Sequence, residues 1–223
     1  MNAQHEHEFE AAPGLPESLP AGEFILWQGR PDWRVLAMQA LHVRKLAFYF
    51  AAMLGLQALY LLSEPGAALL RPLLTSLGMA LLALGLLSAT AWFAASSALY
   101  TLTNKRVVMR VGIVLTLTFN LPLRQIAGAA LRPQAGGFGD IALALKGPDR
   151  IAWLNLWPHA RPWALKNPQP SLRCLPHAAA VGEQIQSAWQ AANPGLPVTI
   201  GALAPVADTP RFQPDNHPHT ATV

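Results

Sequence analysis

His42-Val-Arg-Lys45 stands directly before the first long apolar run of the chain, Leu46–Leu62. A neutral imidazole nitrogen is a good metal donor, so His42 could ligate the central metal of a tetrapyrrole. It could equally sit in a membrane interface, hydrogen-bonded to headgroups or water. A second cluster is Trp157-Pro-His-Ala-Arg-Pro-Trp163. Trp and Arg are enriched among the side chains that anchor protein interfaces, so Trp157, Arg161 and Trp163 form a candidate partner-binding segment, while Trp153 reads as core. The third set is cationic and aromatic. Trp27, Arg30, Trp33, Arg34, Arg44 and Lys45 precede the first apolar run, and Lys105, Arg106 and Arg110 follow the second. Such belts flank membrane spans and attract anionic headgroups by about 1 kcal/mol per charge.

Other chemistry is absent at the level of motif. No Gly-x-Ser-x-Gly turn or His-Glu-x-x-His helix occurs, and Gly136-Gly-Phe-Gly139 lacks the lysine of a phosphate loop and opens no helix. These absences point away from an enzyme. The single cysteine, Cys174, has no partner for a disulfide or a thiolate metal site. His5 and His7 alternate with Glu6 and Glu8 in a segment that reads as a solvated tail rather than a metal site. The net charge of +4 needs only lipid headgroups and no nucleic acid.

The elements that position these residues follow from the charge distribution. The 223 residues are 52% hydrophobic but only 13% charged, with a mean hydropathy of +0.26. Soluble domains carry about 25% charged residues. The deficit lies in residues 46–104, and no charged side chain occurs between Arg71 and Lys105. Leu46–Leu62 and Leu73–Ala98 are long enough to span a bilayer, which takes about 17–25 residues, and Pro65-Gly66 separates them. Gly78, Ala80, Ala83, Gly85, Ser88 and Ala89 recur through the second run. Small residues let helices approach closely in lipid, which predicts a helical hairpin and permits self-association as a homodimer. Basic residues outside the runs, against Arg71 alone between them, place both termini on the cytoplasmic side.

Period-two alternation takes over at Tyr100. Tyr100–Thr103 and Arg106–Val111 read as strands around an Asn104-Lys105 turn, with Gly112 as a turn or bulge. Val114–Leu121 and Arg124–Leu131 follow as further strands. Ile141–Leu145 and Arg150–Leu156 flank Lys146-Gly-Pro-Asp149 as a hairpin. The Pro-rich stretch Trp157–Pro176 reads as irregular. Leu175–Ala192 reads as a helix with Val181, Ile185 and Trp189 on one face, stopped by Asn193-Pro194. At the other end, Glu23–Trp33 is a short apolar patch, and Pro31-Asp32 starts a short helix with Asp32 near its cap. Residues 1–22 carry no signal peptide pattern.

The run Tyr100-x-Leu-Thr-x-x-Arg-Val-Val-x-x-x-Gly112, followed by Leu121-Pro-Leu-x-x-Ile126, resembles the bacterial pleckstrin-homology domain. More narrowly, Leu26-Trp-Gln-Gly-Arg-Pro-Asp-Trp33, His42-Val-Arg-Lys45, Trp157-Pro-His-Ala-Arg-Pro-Trp163 and Pro170-Ser-Leu-Arg-Cys-Leu-Pro176 are similar to the PuhB family of photosynthetic complex assembly proteins. The resemblance implies a non-catalytic assembly factor, without a cofactor of its own, for the reaction centre and core light-harvesting antenna polypeptides of phototrophic bacteria. Bacteriochlorophyll would be the tetrapyrrole for His42. A membrane-anchored domain of envelope maintenance is the alternative.

The expected fold is an α+β membrane protein: a two-helix transmembrane hairpin, then a pleckstrin-homology-like antiparallel sheet or barrel capped by a C-terminal helix. Its expected parts are a disordered tail (1–22), an interfacial segment and helix (23–45), the hairpin (46–98), the β domain with its helix (99–192) and a second disordered tail (193–223). Its expected place is the bacterial inner, intracytoplasmic membrane.

Overall fold

The computed structural model describes residues 19–64, 69–147, 151–162, 164–165, 167–195 and 200–202. The expected tails over 1–18 and 203–223, most of the loop after Ser63, the end of the Lys146–Asp149 turn, and Trp163 lie outside these residues. Apolar content builds two long helices, α2 (Val43–Ser63, 21 residues) and α3 (Leu70–Ser97, 28 residues). At about 1.5 Å per residue they reach about 32 and 42 Å, against about 30 Å of bilayer hydrocarbon. No residue of α2 is buried, and α3 buries only Ala80, Ala91, Ala94 and Ala95. Phe48, Leu56, Leu59, Leu62, Leu70 and Met79 stand exposed. Both helices are long and apolar enough to cross a membrane. The small residues do not all serve the hairpin. Ala80 is buried, but a Cβ added to Gly78 or Gly85 would meet nothing within 4 Å.

Two four-stranded sheets form the rest. The first has the order β1 (Ile25–Gly29), β2 (Leu99–Thr103), β3 (Arg106–Val111), β4 (Leu117–Pro122), all antiparallel. β1 refines the sequence reading: within the segment read as interfacial, residues 25–29 form the edge strand of this sheet, paired from Ile25↔Thr103 to Gly29↔Tyr100. The patch is too short for periodicity to reveal a strand, and its partner lies about 75 residues on. The apolar hairpin is therefore an insertion between two neighbouring strands, not a module ahead of the domain. β4 also begins later than the alternation implied, because residues 113–116 form an exposed turn. Gly112 permits that turn: at φ +126°, a Cβ would collide with the Leu115 carbonyl.

The second sheet has the order β7 (Ser171–Leu175), β6 (Gly139–Leu145), β5 (Ile126–Pro133), β8 (Ile200–Ala202). Two further corrections fall here. Of the strand expected over 150–156, the described residues 151–156 do not pair as a hairpin strand: Trp153–Leu156 is a helical turn, α4. The strand that does pair with β6 is β7, inside the Pro-rich stretch read as irregular, and all five of its residues are buried. Two prolines upstream masked a short, fully buried strand that has no alternation to betray it. β8, in the region read as tail, pairs parallel to β5.

Helix α5 (Ala178–Ala192) packs on both sheets, touching β1, β5 and β6. Val181, Ile185 and Trp189 are buried in one cluster with Tyr100, Val107, Met109, Leu123, Ile126 and Leu143, as their spacing of four predicts. Trp189 Nε1 also donates to the Ile126 carbonyl at 2.9 Å. A smaller cluster lies where the hairpin meets the sheets. Leu36 from α1 (Trp33–Gln39), Ala94 and Ala95 from α3, and Cys174 from β7 are all buried there.

Candidate functional site

The junction is organised by a bulge in β7. Gly139 pairs with Leu175 and Ile141 with Leu172, so β7 carries one residue more than β6 over this stretch. Cys174 takes the left-handed conformation, φ 52°, which costs a non-glycine residue about 1 kcal/mol or more. Two hydrogen bonds hold it. Its N–H donates to Asp140 Oδ1 at 2.8 Å, and its carbonyl accepts from Asp32 N–H at 3.0 Å. Asp32 is the cap of α1, its carboxylate accepting from the N–H groups of Arg34 and Val35. The bulge thus ties the second sheet to the helix that leads into the apolar hairpin. Burial first, and then the Asp140 carboxylate, push the Cys174 thiol up to about 12, so it stays protonated.

The bulge also aims Arg173 inward. Its guanidinium is buried, with Nε 3.4 Å from Asp140 Oδ2 and Nη1 donating to the Pro158 carbonyl at 3.2 Å. Next to it, Tyr100 Oη accepts from Arg173 N–H at 3.4 Å and lies 2.6 Å from His159 Nδ1. Burial above all, and the Arg173 charge, push His159 down to about 3. The ring is neutral at physiological pH. The Ala94 backbone of α3 favours the charged form but does not outweigh burial and the Arg173 charge.

A cavity of about 490 Å³ opens beside this seam. Gln39 and Ala40 line it at the end of α1, and His42 and Lys45 at the start of α2. Arg132 enters from β5 and Gln134 from just beyond its end, Asp140 from β6 and Arg173 from β7. Trp153, Trp157, Pro158 and Leu165 supply an apolar wall. Its size falls within the roughly 300–1,000 Å³ usual for small-molecule sites. Three cations against one carboxylate give the lining a net charge of +2.

The predicted site residues separate into groups. His42, Lys45 and Trp157 meet at this cavity. His42 is the left-handed residue ahead of α2, its Nδ1 3.2 Å from the Ala40 carbonyl. Arg161 forms a local clasp, with Nη1 donating to Gln169 Oε1 at 2.9 Å. Trp27, placed in a lipid belt by sequence, packs partly buried against the core. Trp33 is exposed, with the Arg34 guanidinium 5.5 Å from its ring centroid, and Arg30 and Arg44 are exposed as well.

Lys105, Arg106 and Arg110 are not one cluster. Arg110 pairs with Leu99 beside the end of α3, whereas Lys105 is in the turn beyond the far end of β2, about 17 Å away along the strand. Arg106 clamps the buried Glu23 through two hydrogen bonds of 2.7 and 2.9 Å. Burial raises the Glu23 pKa, but the Arg106 and Thr103 hydrogen bonds and the Arg106 and Lys105 charges outweigh it and hold the carboxyl below its usual value. Sequence reasoning missed Arg132, Asp140, Trp153 and Arg173 as cavity residues. Only the quoted Pro170–Pro176 segment flagged one of them, and their meeting depends on β5–β6–β7 pairing.

With an inserted apolar hairpin, an antiparallel sheet, a mixed sheet and a capping helix in place, the class can be stated. The chain belongs to the bacterial PH domain family, whose model matches residues 51–189. It is also 37% identical over 192 residues to a protein of Rhodobacter capsulatus named as a 23.7 kDa protein in the puhA 5′ region. That similarity covers 85% of this chain and 90% of the relative. No solved structure matches.

Proposed function

We propose that the chain is a membrane-anchored, non-catalytic assembly factor of the PuhB type, acting on the photosynthetic reaction centre and its core antenna. The observation that carries this reading is the 37% identity with a protein named for the puhA region, a photosynthesis gene region. The fold supplies a mechanism. α2 and α3 cross the inner membrane with both termini in the cytoplasm, and the sheets sit at a set height and angle beneath them. Partner subunits then meet the domain at high effective concentration, without chemistry. The exposed Trp157, with Arg161 and Trp163, forms the docking segment, and self-association along the open Gly78–Gly85 face of α3 belongs to the same reading.

The test is an affinity pull-down from membranes of the native phototroph. Reaction-centre and core antenna polypeptides are expected in the eluate, reduced by Trp157→Ala or Trp163→Ala while the protein stays in the membrane. Recovery of neither polypeptide would sink the reading in favour of envelope maintenance. A pigment-handling variant has one observation in its favour: the Ala40 contact occupies His42 Nδ1 and leaves Nε2 for a metal. Purified protein should then carry bacteriochlorophyll absorbance that His42→Ala removes.

A further inference from the structure

The cavity at the start of α2 has a property that partner docking does not use. Among the described residues, six buried side-chain atoms make no hydrogen bond, and four of them belong to its lining: Asp140 Oδ2 and Arg173 Nε, which form an ion pair with each other at 3.4 Å, and Gln134 Oε1 and Trp153 Nε1, which meet no partner. Buried polar atoms are normally satisfied, so their concentration in one place calls for a reason. Asp140 and Arg173 are 3% and 5% exposed. The lining is also cationic, through Lys45, Arg132 and Arg173 against Asp140. Lys45 lies in the first turn of the 21-residue α2, whose capping residue His42 makes no side-chain cap bond. The first N–H groups of that helix therefore add positive potential on the same side.

We infer that this cavity binds the phosphate headgroup of one anionic phospholipid. The choice of lipid over a free anion rests on position and on the membrane reading above. The cavity lies at the entry of an apolar helix, so a headgroup in it keeps its acyl chains at the level of α2. The exposed Trp157 and Leu165, 42% and 62% accessible, form an apolar lip for the glycerol and first methylenes. Lys45 and Arg132 pair with the phosphate oxygens. Arg173, held by Asp140 and the Pro158 carbonyl, supplies a fixed charge behind them. A bound lipid would then become part of the joint between hairpin and sheets.

Native mass spectrometry of the full-length protein tests this, after extraction from membranes containing phosphatidylglycerol and from reconstituted phosphatidylcholine. Wild-type protein is expected to retain one phosphatidylglycerol and no phosphatidylcholine. Arg132→Gln and Lys45→Gln, both at exposed side chains, should each lower retention about fivefold, the factor for one cation near a membrane surface. Equal retention in folded variants overturns the proposal. Should a variant fail to fold, the wild-type arm decides alone, since equal retention of both lipids, or of neither, overturns it too. Inorganic phosphate that displaces the lipid at equal concentration would assign the site to a free anion and also overturn it. An alkaline carbonate wash separates the two failures. Protein that stays in the membrane yet retains no lipid refutes only the headgroup site, whereas protein released by the wash refutes the membrane anchor.

Discussion

At the scale of single residues, two buried contacts carry measurable consequences. His159 is neutral in the folded chain and ordinary when unfolded, near 6.5. Its folded value is depressed, so its contribution is complete above pH 6.5 and is lost as the pH falls toward 3. Over that window the unfolded chain binds the extra proton, and stability should decline by up to about 1.4 kcal/mol per pH unit. Thermal melts in detergent at pH 7, 6, 5 and 4 should show this slope, and His159→Gln should flatten the part due to the imidazole. Parallel curves for the two proteins would refute the assignment. Arg106 is the second contact. Removing its guanidinium strands the Glu23 carboxylate in a buried site, at a cost of about 2 kcal/mol or more. Arg106→Gln should therefore lower the melting temperature and leave vesicle binding unchanged, whereas Lys45→Gln should do the reverse. A loss of vesicle binding in Arg106→Gln would restore the lipid role that sequence proximity to Lys105 implies.

At the scale of elements, the β6–β7 pair governs the junction. Gly139 opens β6 where a Cβ would come within 2.8 Å of Ala178 Cβ and 2.9 Å of the Arg132 carbonyl. One contact is backbone and the other a methyl on α5, so neither side can yield without moving a whole element. Gly139→Ala should destabilise the protein by roughly 1–3 kcal/mol, an overpacking cost read from denaturant midpoints. Asp32 is the complementary case at the other end of the bulge. Asp32→Ala removes the cap of α1 and should cost about 1 kcal/mol. The backbone bond from Asp32 N–H to the Cys174 carbonyl remains, while the Arg34 and Val35 amides lose their acceptor, which faster amide exchange at those two residues would report.

At the scale of the whole molecule, the decisive feature is that the apolar hairpin is inserted between β1 and β2. The chain leaves the first sheet, builds α1 to α3, and re-enters the same sheet beside the strand it left. Two crossings and the Leu36–Ala94–Cys174 cluster fix the hairpin to the sheets. Domain and hairpin should move as one body. Four Gly/Ser residues inserted after Ala98 would break that coupling. The expected outcome is a protein still found in the membrane fraction but no longer recovering reaction-centre polypeptides. Undiminished recovery would mean that a fixed height is irrelevant to docking.

Local patterns in the sequence were sufficient for the two apolar helices, the Tyr100–Val111 hairpin, the Asp32 cap and the Val181–Ile185–Trp189 face. Each depends on neighbours within a few turns or one strand. They also sufficed for the family, through motifs from Tyr100 to Ile126. Tertiary structure alone decided three things: that Ile25–Gly29 is a strand, that the buried Ser171–Leu175 replaces the expected strand at 150–156, and that Arg106 clamps the buried Glu23. The physical reason is common to all three. Strand pairing takes its hydrogen bonds from residues distant in the chain, and a five-residue segment, fully buried or on an edge, carries no period long enough to announce its partner. The cavity formed by Lys45, Arg132, Asp140 and Arg173 exists only because such pairings bring four separate elements to one place.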